Sequence, residues 1–180
     1  MLIKNLHTDH ILTLSDYPVH NQQVLKLYHR MFWKGHQALV PSLPVVQIDA
    51  VCLGVAGNSP KKKHYNEILS KFLSRHPKVK YCLVDGSHKS TAASLCKKNI
   101  KALILQNDAD IREARKMVEK GELLSLTTGG TDTIDGALAV LRNHFFTAMR
   151  FETVGEKTRR MIRDKIIPRY MIREYRRINE

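Results

Sequence analysis

The sequence predicts an α+β protein, with strands and helices mixed around one core. Short apolar runs stop abruptly at polar turns, as strands do. Between them, apolar residues recur at the three- and four-residue spacing of helices. The 180 residues are 43% hydrophobic, enough for a sizeable core. The length suits one domain, or one domain with a helical appendage. No apolar run approaches the roughly 20 residues of a membrane-spanning helix. The first residues, Met1-Leu2-Ile3-Lys4-Asn5, lack the apolar stretch of a secretion signal. A cytoplasmic location without a membrane partner is expected.

The elements follow in order. Ile11-Leu12-Thr13-Leu14 reads as a short strand, broken at Ser15-Asp16-Tyr17-Pro18 because proline fixes its own backbone and extends its neighbour. Val24, Leu25, Tyr28, Met31 and Phe32 then mark a helix, with Asn21 as N-cap and Gly35 as stop. Residues 44–55 read as one or two buried strands. Asn58-Ser59-Pro60 opens an amphipathic helix whose first turn is Lys61-Lys62-Lys63. Positive charge there opposes the helix dipole, so the run serves either a solvated face or a phosphate contact. Residues 79–84 and 100–105 read as strands, separated by a helix over 90–98. Asn107 caps a helix that ends before Gly121. The polar loop 127–133 precedes a helix over 134–149, with Asp132 or Thr133 as its cap and with hydroxyls that could fold over a ligand. Gly155 and Pro168 divide a basic helical tail.

Charge and cysteines narrow the function. Lys and Arg total 30 against 17 Asp and Glu, a formal charge of +13, which favours anionic partners such as nucleotides or nucleic acid. Much of the excess lies in the tail, at Arg159, Arg160, Arg163, Lys165, Arg169, Arg173, Arg176 and Arg177. An apolar side accompanies it, so the tail suits packing on the core, a nucleic-acid contact or a homo-oligomer interface. Cys52, Cys82 and Cys96 form no CxxC pair and read as reduced core thiols. The nine histidines include no HxxxH pair at zinc spacing, so no structural metal is expected.

The stretch Val84-Asp85-Gly86-Ser87-His88-Lys89-Ser90-Thr91 carries the chemistry. It joins a strand to a helix start through one glycine. Free backbone N–H groups and the dipole make a helix start a seat for phosphate, and a lysine with hydroxyls beside it strengthens the seat. Lys89 is the foremost phosphate ligand on this reading. Asp85 would hold Mg²⁺ or an acceptor hydroxyl, and His88 would contact phosphate or move a proton.

These residues, with His20-Asn21 and the helix after it, Pro44-Val45-Val46-Gln47-Ile48 and Leu103-Ile104-Leu105, resemble the ParB/sulfiredoxin superfamily over about residues 9 to 120. The family includes ParB-like nuclease domains, nucleotide-binding partition proteins, sulfiredoxins and kinases of free serine. The resemblance implies a compact mixed sheet flanked by helices over residues 1–120, with 121–180 as a helical, basic extension packed on it. It implies a nucleoside di- or triphosphate, with Mg²⁺, held by Gly86, Ser87, His88, Lys89, Ser90 and Thr91. Asp85, His88 and His20 would be the catalytic groups of a phosphotransferase, His20 standing near where the serine kinases carry a glutamate base. Sulfiredoxins have a cysteine where this chain has Ser87, so sulfinic acid repair is not expected. The alternative is a DNA- or RNA-binding relative without catalysis, or a weak nuclease.

Overall fold

The computed structural model describes residues 1–15, 21–126 and 128–179. Six strands form one mixed sheet: β1 (Leu2–Leu6), β2 (Ile11–Thr13), β3 (Leu43–Gln47), β4 (Tyr81–Leu83), β5 (Ile100–Leu105) and β6 (Glu152–Thr153). Their spatial order is β1-β5-β3-β4-β2-β6. β2 runs parallel to β4 and β3 parallel to β5, while the other neighbours are antiparallel. The fold is α+β. No helix among the described residues is long and apolar enough to cross a membrane.

Helices cover both faces of the sheet. Successive strand residues point to opposite sides, and the apolar positions divide accordingly. Ile11, Val45, Leu83 and Ile104 face one layer, formed by α1 (Gln22–Trp33), α4 (Ser87–Leu95), α7 (Val154–Arg163) and α8 (Arg169–Asn179). Leu12, Val46, Cys82 and Leu103 face the other, formed by α2 (Ala50–Leu53), α3 (Pro60–Arg75), α5 (Asp108–Glu119) and α6 (Ile134–Ala148).

Local signals explain most boundaries. Asn21 caps α1 by accepting from the amides of Gln23 and Val24. Ser59 caps α3, Asn107 caps α5 and Thr133 caps α6, each through its side-chain oxygen. Thr153 and Glu156 form a reciprocal capping box that starts α7.

Three expectations need correction, and one strand was not foreseen. Residues 44–55 hold one strand, and α2 replaces the second, because the Asp49 carboxylate accepts from Cys52 N at 2.7 Å and nucleates a turn. α4 begins at Ser87 rather than 90, since Gly86 already makes the turn. Gly155 lies inside α7 rather than dividing the tail. Its missing side chain lets the Asp9 carboxylate lie where a Cβ would be. Finally, β1 is an edge strand with four exposed residues, so it lacks the alternating pattern by which a strand is recognised. The part of the chain after residue 120 also contributes to the sheet, through β6 on β2.

Candidate functional site

A pocket of about 60 Å³ opens at the carboxyl ends of the parallel strands β2 and β4. Thr13 and Leu14 supply one wall, Leu83 to Ser87 the floor, and Lys157 of α7 the far side. The floor is the turn singled out by the sequence. Gly86 adopts φ +99°, a left-handed conformation that favours glycine. A side chain there would also meet Leu43, its Cβ lying 2.5 Å from the Leu43 Cδ1 methyl. The Asp85 carboxylate bends back to accept from the Gly86 amide. α4 follows without a side-chain cap, so its first turn offers backbone donors toward the pocket floor.

The predicted residues separate into two groups. Asp85, Gly86 and Ser87 line the pocket. Lys89, Ser90 and Thr91 lie beneath it, at 4%, 1% and 2% exposure. The Lys89 ammonium donates to the carbonyls of Ser42 at 3.0 Å and Pro41 at 3.4 Å, tying the start of β3 to the turn. Burial pushes its pKa down to about 8, partly offset by the nearby Asp85 carboxylate. Ser90 Oγ turns back to Ser87 O at 3.1 Å. His88 Nε2 accepts from the Asn21 amide at 3.2 Å, which requires the proton on Nδ1 and joins α4 to the start of α1. His20 lies outside the described residues.

Lys157 is the residue that sequence reasoning missed. It is 3% exposed, and its Nζ donates to Leu14 O at 2.6 Å. One turn on, Arg160 grips both oxygens of Glu152 and donates to Ser15 O at 2.8 Å. α7 thus fixes the backbone after β2 with two cations. The signal was available. The capping box starts a helix at Val154, and Val154, Thr158 and Met161 then define a buried stripe on which Lys157 also falls. A lysine on such a stripe is costly unless it meets a polar group.

Other candidates lie elsewhere. In the 127–133 loop, Arg115 donates to Thr128 Oγ1 at 2.9 Å and Thr131 O at 2.7 Å, which pins the loop to α5, and none of its described residues lines the pocket. Burial raises the thiol pKa of Cys52 and Cys82, and that of Cys96 to about 12, so these thiols stay protonated at neutral pH. Among the described residues, no group of three or more His, Cys, Asp or Glu is placed to hold a metal ion.

Comparison with known proteins gives no match: no family model fits the chain, and no curated protein or solved structure is significantly similar to it.

Proposed function

We propose that the pocket at the ends of β2 and β4 binds a phosphate of a nucleoside di- or triphosphate. The observation that carries this reading is the meeting, in one pocket, of an uncapped helix start and a buried lysine. The N–H groups at the start of α4 would donate to phosphate oxygens, and the helix dipole would favour the negative charge. Lys157, rather than Lys89, would supply the neighbouring cation, and Ser87 a hydroxyl. At about 60 Å³ the pocket suits one phosphoryl group, with sugar and base outside. Affinity should therefore depend on the presence of a phosphate more than on the base.

Asp85 stands beside this seat and would repel a bare phosphate. A Mg²⁺ ion arriving with the nucleotide would reconcile the two, since Mg²⁺ is commonly held by one or two carboxylates together with substrate phosphates. The reading is one of binding. Transfer to an acceptor would need a general base, and the Nε2 of His88 is already engaged with Asn21.

A thermal-shift panel of ATP, ADP, CTP, GTP and adenosine, each with Mg²⁺, tests the proposal. The phosphorylated ligands should raise Tm by linkage, and adenosine should not. Lys157→Met, checked for native circular dichroism, should abolish the shifts. A flat panel, or full shifts in Lys157→Met, overturns the reading.

A further inference from the structure

We infer that the outer surface of α1, α8 and the short segment just after α4 is a docking face for single-stranded nucleic acid. The inference is independent of the pocket and rests on charge and exposed rings. Arg169, Arg173 and Arg176 recur at four- and three-residue spacing on α8, all exposed, with Arg177 beside them. None of the four pairs with a carboxylate among the described residues. Glu174, the only acid of α8, is directed inward to His29, with Oε2 3.6 Å from Nε2. α1 contains no acid, and exposed Arg30 and Lys34, with Lys97 and Lys98 just after α4, extend the cationic surface.

Aromatic rings are set among these cations. Trp33 stacks on His29 at 6.0 Å, and Tyr170 meets the same imidazole edge-on at 6.1 Å. Trp33 and Tyr170 stay 38% and 37% exposed. Lys97 Nζ sits 5.0 Å above the Tyr175 ring. Fixed cations attract a phosphate backbone, and part-open rings between them offer stacking partners to unpaired bases. A membrane surface would instead call for bulky apolar side chains along the outward face of α8, where arginines stand.

The chain has one tryptophan, so its fluorescence reports this face without any mutation. A 20-nucleotide oligouridylate, 5′-labelled, should bind saturably by anisotropy and quench Trp33. Raising salt from 50 to 200 mM should weaken binding about a hundredfold, the slope for about five phosphate contacts to a single strand. Arg173→Gln with Arg176→Gln should lose at least tenfold in affinity. Lys63→Gln with Lys71→Gln, which removes the same charge from the opposite helical layer, should not. Lys157→Met should bind the oligonucleotide normally, so the two proposals fail separately. Absence of binding at 50 mM salt, binding that leaves Trp33 unchanged, equal losses in both double variants, or tighter binding to phosphatidylserine vesicles than to oligouridylate would each overturn the inference.

Discussion

The layer of α2, α3, α5 and α6 is held together by rings, whereas the layer of α1, α4, α7 and α8 encloses cations. In the first, Phe151 lies 5.1 Å from Phe145, 5.5 Å from Tyr65 and 5.7 Å from Phe72. Tyr65 is fully buried, and its hydroxyl is satisfied by Leu53 O at 2.8 Å. In the second, Lys89 and Lys157 are almost wholly buried, and both ammonium groups end on backbone carbonyls of connecting segments. The described helices of the ring layer carry nine Lys and Arg against six carboxylates, and those of the cation layer eleven against two. One sheet therefore separates a layer packed by aromatic rings from a layer rich in cations. A buried lysine stabilises less than a packed ring, but it fixes a loop by a directed bond.

Truncating the ring layer should have the largest effect. Phe145→Ala, at a fully buried position, should cost about 3–5 kcal/mol of unfolding free energy in urea titrations. The surviving folded fraction should keep nucleotide affinity, because none of the helices of this layer lines the pocket, which its core reaches only through Leu14 and Val84. Loss of affinity in the folded fraction would show that the two faces are coupled.

Gly86→Ala sharpens the comparison from the other side. The left-handed backbone and the close Leu43 methyl should cost about 2–3 kcal/mol, read as a lowered urea midpoint. Here affinity should fall along with stability, since Leu43 or the turn must move. An unchanged midpoint would mean that the turn is not tightly constrained.

The smallest effect concerns pH. Lys89 has its pKa lowered from 10.5 to about 8 in the folded protein. Between those values the unfolded chain binds more protons than the native one, so this group adds stability as pH rises through 8 and completes its contribution near 10.5. From pH 7 to 9.5 the gain is about 2 kcal/mol. A neutral amine still has two N–H groups for Ser42 and Pro41, so deprotonation need not break either bond. Lys89→Met should lose this rise, whatever its absolute stability. A variant with the same pH profile as the parent would assign the titration elsewhere.

Where a boundary depends on one residue and its immediate neighbours, the sequence reveals it. The strand over Ile100–Leu105, the Asn107 cap and the stop before Gly121 are of this kind. So was the turn at Gly86. What escaped depends on distant partners. Lys89 looked available to a ligand because its carbonyl acceptors lie 47 and 48 positions earlier in the chain. β1 stayed hidden because an exposed edge imposes no apolar alternation. Lys157 belonged to a tail so rich in charge that one more cation carried no weight, although its place on the buried stripe of α7 marked it.

The bond from Lys157 to Leu14 spans 143 positions along the chain. Closing so wide a loop comes late when a polypeptide is made from its first residue onward, after most of the sheet can already have paired. The lining of the pocket is therefore complete only once nearly all of the protein has been synthesised and α7 has docked. A chain arrested before residue 157 would contain the residues of all six strands and still lack the far wall of its cleft. Ligand capture would then serve as a measure of finished folding.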